Sequence, residues 1–139
     1  MHRNVSQIKR LCHTSMNSYE ITLPFPPSTN TYWRAIGRGR VIISAKGREF
    51  REEAVYTAMI ERGDVDAGPM EGRLRVFIEA FPPDKRRRDL DNMLKAVLDA
   101  LEHAKVYEND SQIDDLRIVR MPSEKPGKVV VSVEEIDDE

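Results

Sequence analysis

Cysteine is nearly absent from this chain of 139 residues, and only three histidines accompany it. The single Cys12 cannot form an internal disulfide, and with these histidines it lacks the ligand spacing of a structural zinc site. A domain of this length removes roughly two thirds of its unfolded surface from water, so its core can stabilise it without such cross-links. We therefore expect a reducing, cytoplasmic setting.

Long apolar runs are lacking as well. None approaches the roughly 20 residues needed to cross a bilayer, so we predict no membrane span. Residues 1–15 contain neither an acid nor the apolar block of a secretory signal. We expect them to form a disordered extension, as a transit peptide or as sequence upstream of an internal start at Met16. One domain over 16–136 and an acidic tail at 137–139 should follow.

An excess of positive charge is also missing. The formal net charge is −2, which argues against a generally basic coat protein for nucleic acid. The charges are nevertheless segregated along the chain. Arg34, Arg38 and Arg40 form one cationic group, residues 85–88 form a second, and acids gather from Glu134 onward. If the loops that contain the two cationic groups converge, they form a face suited to phosphate.

Hydrophobic spacing predicts the secondary structure, because strands repeat every two residues and helices every three or four. The predicted strands are 19–23, 41–43, 74–81, 113–119 and 129–133. One predicted helix starts at residue 44 or 46 and ends at 62, and the other spans 90–105. The order is β-β-α-β-α-β-β. It is typical of a single α+β domain with a mixed sheet packed against two helices.

The stretch from 86 to 92, with the sequence RRRDLDN, sets cations against two acids at the start of the second predicted helix. Cations suit phosphate, whereas carboxylates repel it unless a metal ion lies between them, which favours a metal-bridged phosphodiester site. The alternative is structural. Asp89 would then cap the helix, Asp91 would pair with Lys95 for about 0.2–0.5 kcal/mol, and the arginines would be a solvated edge.

A hard divalent cation needs further oxygen ligands beyond Asp89 and Asp91. Spacing alone does not choose among the later acids; the candidates are Glu108, Asp110, Asp114 and Asp115.

The segment from 28 to 34 contains Asn30, Trp33 and Arg34, a mixture of hydrogen-bonding, stacking and cationic groups that suits nucleic acid. Trp33 fits the edge of a hydrophobic core equally well. Gly37 and Gly39 then flank an arginine, which predicts a flexible hairpin leading into the second strand.

Several motifs together resemble the RusA family of Holliday-junction resolvases. They are RRRDLDN at 86–92, Lys95, DAL at 99–101, NDSQI at 109–113 and the opening run YEITLPFPPSTN at 19–30. The resemblance extends from about 17 to 136. One departure is Asn109, since an additional acid often stands at that position in the family.

The resemblance implies a RusA-like fold and a homodimer that makes paired, symmetric nicks in four-way DNA junctions with Mg²⁺ or Mn²⁺. It implies that Asp89, Asp91 and Asp110 form the metal-binding triad, and that Lys95 is a basic catalytic residue near the scissile phosphate. The expected DNA-contacting residues are Asn30, Arg34, Arg38, Arg40, Arg86, Arg87, Arg88 and Asn92. A non-catalytic dimeric junction-binding protein and a flap or fork nuclease are the alternatives.

Overall fold

Six strands and three helices form the part of the chain that the computed structural model describes, residues 18–62 and 68–136. The strands are β1 Ser18–Pro24, β2 Trp33–Gly37, β3 Arg40–Ile43, β4 Arg73–Phe81, β5 Ile113–Arg120 and β6 Lys128–Ile136. The helices are α1 Thr29–Tyr32, α2 Ala45–Arg62 and α3 Asp91–His103, and a 3₁₀ helix spans Asp110–Gln112. The predicted α+β class is confirmed.

The main sheet has the strand order β1-β6-β4-β5. β4 pairs with β5 in parallel, whereas the β1–β6 and β4–β6 pairs are antiparallel. Parallel neighbours require a crossover connection, and α3 provides it by running back along the sheet. The loop before α3 therefore lies at one end of the sheet, and the segment after α3 lies at the other.

One face of this sheet forms the core with the helices. The strand register aligns Ile21 with Val131 and Val131 with Ile78, and all three are fully buried. The predicted amphipathic character of the second long helix is confirmed, because α3 buries one stripe against this face. The buried residues of that stripe are Met93, Ala96, Val97, Ala100 and Leu101.

The segment between β1 and α2 differs from the sequence prediction. Residues 28–34, expected to be a loop, contain the single turn of α1, capped by the Ser28 side chain, which accepts from the Thr31 N–H at 3.3 Å. One turn is too short to show periodicity. The predicted hairpin is confirmed, but β2 and β3 form a separate two-stranded sheet.

The C-terminal strand is longer than predicted. β6 extends to Ile136, so Glu134 and Glu135 lie in a strand and not in an acidic tail, and Glu134 pairs with Arg75 at 2.9 Å. The predicted extension at 1–15, the tail at 137–139 and the expected helix end at Gly63 lie outside the described residues. None of the described helices has the length and apolar character that a membrane crossing requires.

Gly47 in the first turn of α2 provides a test of this packing. A Cβ atom there would lie 2.5 Å from the Tyr32 carbonyl oxygen and 2.8 Å from Ile43 Cγ1. We expect Gly47→Ala to lower the free energy of unfolding by about 1–3 kcal/mol in urea titrations. The sign of this change distinguishes the two cases, because Gly→Ala in a solvent-exposed helix raises the free energy of unfolding by up to about 1 kcal/mol. Lys46→Ala, at an exposed neighbouring position, is the control.

Candidate functional site

The loop that follows β4 is held by its own charges. Asp84 accepts from the Arg86 N–H at 2.9 Å and from Arg88 Nη1 at 2.8 Å, and the bond from Arg88 is the main cause that lowers the pKa of Asp84 to about 2. The Arg88 guanidinium also lies 5.5 Å from the centre of the Phe25 ring, and Arg120 Nη2 donates to the Arg88 carbonyl at 2.7 Å. Arg88 therefore organises the loop.

The two acids that follow, Asp89 and Asp91, are exposed. Leu90, not Asp89, occupies the cap position of α3, and it makes no side-chain cap bond, so the interpretation of Asp89 as a helix cap is wrong. Across residues 18–62 and 68–136, the carboxylates of Asp89 and Asp91 have no hydrogen-bond or ion-pair partner, and the expected Asp91–Lys95 pair is not formed. Lys95 lies exposed one turn after Asp91.

A cavity of about 320 Å³ adjoins Asp89. Arg87 and Asn92 also line it, and the Asn92 side chain has no hydrogen-bond partner in the described part of the chain. Thr29 Oγ1 donates to the Asn92 carbonyl at 3.1 Å and so joins α1 to the start of α3. This contact brings α1, with the exposed Asn30, beside the two acids.

A polar network that joins α1, α2 and α3 was not predicted from the sequence. The buried Tyr32 hydroxyl donates to Asp99, and Arg51 Nε and Nη2 donate to Asp99 Oδ2 at 3.1 and 2.9 Å. Burial first, and then the hydrogen bond to Asp99, raise the pKa of Tyr32 to about 12. No local signal identifies the role of Asp99, because its partners are 67 and 48 residues away.

Asp110 lies at the other end of α3. Its backbone N–H donates to Glu102 Oε1 at 3.0 Å, which ties the segment after α3 to the last turn of that helix. Asn109 caps the 3₁₀ helix with its side chain, and Gln112 completes that cap, which gives Asn109 a structural role. Since a helix rises 1.5 Å per residue, about 16 Å of helix separates Asp91 from Glu102.

A single chain consequently assembles only part of the predicted triad. Asp89 and Asp91 lie together, but Asp110 does not join them. No group of three or more His, Cys, Asp or Glu within the described ranges is arranged to hold a metal ion. The chemistry of the two neighbouring carboxylates still fits Mg²⁺, which prefers one or two carboxylates and completes its shell with other oxygens.

The remaining predicted DNA contacts lie on the β2–β3 hairpin. Arg34, Arg38 and Arg40 are exposed, and none has a hydrogen-bond or ion-pair partner in the described segments. Trp33 is half-buried and packs edge-on against Tyr32 with ring centres 5.1 Å apart. Its contacts favour the role at the core edge.

Neighbouring carboxylates that could hold a metal ion, beside cations that suit phosphate, fit chemistry on a phosphodiester. The chain matches the family model described as "Endodeoxyribonuclease RusA" over residues 24–134. It is 43% identical over 124 residues to the crossover junction endodeoxyribonuclease RusA of Shigella sonnei strain Ss046, and 41% identical over 124 residues to that of Escherichia coli strain K12. Both alignments cover 89% of this chain and all of the relative.

A phage protein shows the same relationship. The crossover junction endodeoxyribonuclease of Enterobacteria phage HK97 is 40% identical over 122 residues, which cover 88% of this chain and 98% of the relative. The chain belongs to the RusA family of endodeoxyribonucleases, and the resemblance of its motifs is confirmed.

Burial of the Tyr32 hydroxyl, together with its hydrogen bond to Asp99, predicts a specific response to alkaline pH. A pKa raised from 10.0 to about 12 in the folded state adds stability that is fully present below pH 10 and is lost as the pH rises towards 12. We expect Tyr32→Phe to be less stable than the wild type in urea titrations below pH 10, and the gap to narrow between pH 10 and 12. Tyr56→Phe, at an exposed position of α2, is the control. A difference in stability between Tyr32→Phe and the wild type that stays constant with pH would contradict a raised pKa of Tyr32 in the folded state.

Proposed function

We propose that this protein is a metal-dependent endodeoxyribonuclease that resolves four-way (Holliday) DNA junctions by paired, symmetric nicks. The observation that supports it most is the pair of exposed, unpaired carboxylates, Asp89 and Asp91, beside a cationic loop in a chain of the RusA family. Relatives that the chain covers completely are named crossover junction endodeoxyribonucleases. The scarcity of cysteine supports action in the cytoplasm.

In this proposal Asp89, Asp91 and Asp110 hold Mg²⁺, or Mn²⁺ in its place. When bound, the ion would supply positive charge for the activation of a water molecule and for the stabilisation of the leaving oxygen. Lys95 lies one helical turn after Asp91, where its ammonium group can neutralise charge that develops on the phosphate.

The arginines of the loop have different tasks. Arg86 and Arg87 are exposed and contact the DNA backbone, with Asn92 and Asn30 beside them. Arg88 is engaged with Asp84 and Phe25, so it acts mainly by holding the loop that presents Asp89.

The separation of Asp110 from Asp89 and Asp91 supports a homodimer. Two copies related by a two-fold axis could each supply Asp110 to the other copy, and each of the two sites would then contain all three acids. Two equivalent sites related by two-fold symmetry also suit the cutting of two strands of a junction with the same symmetry. We therefore propose that each metal site is shared between two chains.

Two alternatives remain distinct from this proposal. A non-catalytic junction-binding dimer is disfavoured because unpaired carboxylates beside phosphate repel it. The structural use that would justify keeping them, capping of α3 by Asp89, does not occur. A flap or fork nuclease would use the same chemistry, and substrate comparison separates it from a resolvase.

Cleavage of a synthetic mobile four-way junction provides the primary test. We expect cuts in Mg²⁺ and none in EDTA, and we expect Asp91→Asn to abolish cutting while junction binding stays equal or becomes tighter, since a charge that repels phosphate is lost. Glu52→Gln, which removes an exposed carboxylate of α2, should cut normally. Tight binding without metal-dependent cleavage would defeat the enzyme, and preferential cutting of flaps or forks would favour the third hypothesis.

Mixed dimers test the shared site. Asp91→Asn and Asp110→Asn should each be inactive alone, but a mixture refolded together should regain nicking. In a mixed dimer with shared sites, one site contains both substitutions and the other contains neither. Random association then restores about a quarter of the wild-type sites. A mixture that forms dimers yet stays inactive would show that each chain supplies a complete set.

A further inference from the structure

The β2–β3 hairpin is anchored at its base and exposed at its tip. At the base, the Ser44 N–H donates to the Tyr32 carbonyl at 2.9 Å, and Arg48 Nη1 donates to the Ile43 carbonyl at 3.2 Å. Trp33 pairs with Ile43 in the ladder, and both side chains are packed against the core. The base is therefore part of the folded body.

The tip presents apolar side chains to solvent. Ile36 is 43% exposed, Val41 is 59% exposed and Ile42 is 37% exposed. The turn between the strands is tight, because Gly37, Arg38 and Gly39 have φ values of 95°, 54° and 71°. Apolar groups on a narrow, anchored ribbon can enter an opening that the broad sheet cannot.

The charge around the tip indicates its partner. The sequence contains no acid from residue 21 to residue 48, although the whole chain has a net charge of −2. The cations of that range are Arg34, Arg38, Arg40, Lys46 and Arg48. Charge complementarity therefore favours a polyanion over a second hairpin of the same charge.

Other exposed apolar residues of the described chain lie in a different setting. Met59 and Ile60 on α2 are 50% and 60% exposed, but that helix also contains Glu52, Glu53 and Glu61. Only the hairpin combines exposed apolar groups with an acid-free cationic surrounding, as far as residues 18–62 and 68–136 are concerned.

We propose that this hairpin is a wedge that enters the branch point of a four-way DNA junction. Ile36 and Val41 cover base pairs that lack a stacking neighbour at the branch, while Arg34, Arg38 and Arg40 bind the flanking phosphates. Insertion of apolar side chains between base steps is an established way for proteins to open stacked DNA. A linear duplex offers no such opening, so the hairpin supplies selectivity for branched DNA. This inference rests on the proposed junction-resolving function.

The apolar part is tested with the double variant Ile36→Thr/Val41→Thr, because threonine keeps the β-branched shape and the strand preference. Binding is measured in EDTA, which prevents cutting, with 2-aminopurine placed at the branch point. The wild type should increase the 2-aminopurine fluorescence by unstacking the base. The variant should lose most of this increase, and its preference for the junction over a linear duplex should fall about tenfold. Ile60→Thr is the matched control.

The arginines of the hairpin are tested separately, through the salt dependence of junction binding. Arg34→Gln and Arg38→Asn, the latter chosen because asparagine tolerates a positive φ, should each make the slope of log K against log salt concentration shallower by about 0.9. The apolar double variant should leave this slope unchanged. The two classes of side chain are thereby distinguished in one set of titrations.

The outcomes separate this inference from the proposed function. If the wild type binds and cuts the junction and the folded double variant keeps the full fluorescence change and preference, the wedge is refuted while the resolvase stands. If the hairpin variants instead alter the oligomeric state in sedimentation experiments, the hairpin is a contact between copies and the wedge is also refuted. A wild type that neither binds nor cuts junctions would refute both.

Discussion

The parallel pairing of β4 with β5 is the constraint on which the rest of the structure depends. It forces the chain to return along the sheet, and α3 makes that return. Asp89 and Asp91 therefore lie at the start of the helix, while Asp110 follows its other end. The three acids that the family resemblance selects are therefore divided between the two ends of α3.

Charge pairing also organises the loop before α3. Asp84 takes the hydrogen bonds of the Arg86 backbone and the Arg88 side chain, which also packs over Phe25. Arg88, the cation adjacent to Asp89 in the sequence, is thereby engaged elsewhere. Within residues 18–62 and 68–136, the Asp89 carboxylate has no hydrogen-bond or ion-pair partner. Arg88 thus has a structural role in this loop, whereas Asp89 and Asp91 are exposed to solvent.

Local patterns in the sequence predicted much of this architecture, because they depend on neighbours along the chain. The apolar spacing of α3 and the glycines of the hairpin were sufficient to predict both elements. The single turn of α1 and the separate β2–β3 sheet were not, since they depend on contacts such as that of Tyr32 with Asp99. At the site, RRRDLDN indicated the acidic pair, but only family resemblance selected Asp110 among the later acids. The predicted helix already separated Asp110 from that pair, but the parallel pairing of β4 with β5, which depends on contacts between distant residues, was not predicted.

A crystal structure grown with Mn²⁺ and measured at its absorption edge tests the central claim most directly. The account predicts an anomalous peak between Asp89 and Asp91 of one copy and Asp110 of a second copy, repeated by two-fold symmetry. A Mn²⁺ ion held by Asp89 and Asp91 with Asp110 of every copy far from it, or one held by acids of a single chain alone, would contradict the shared site.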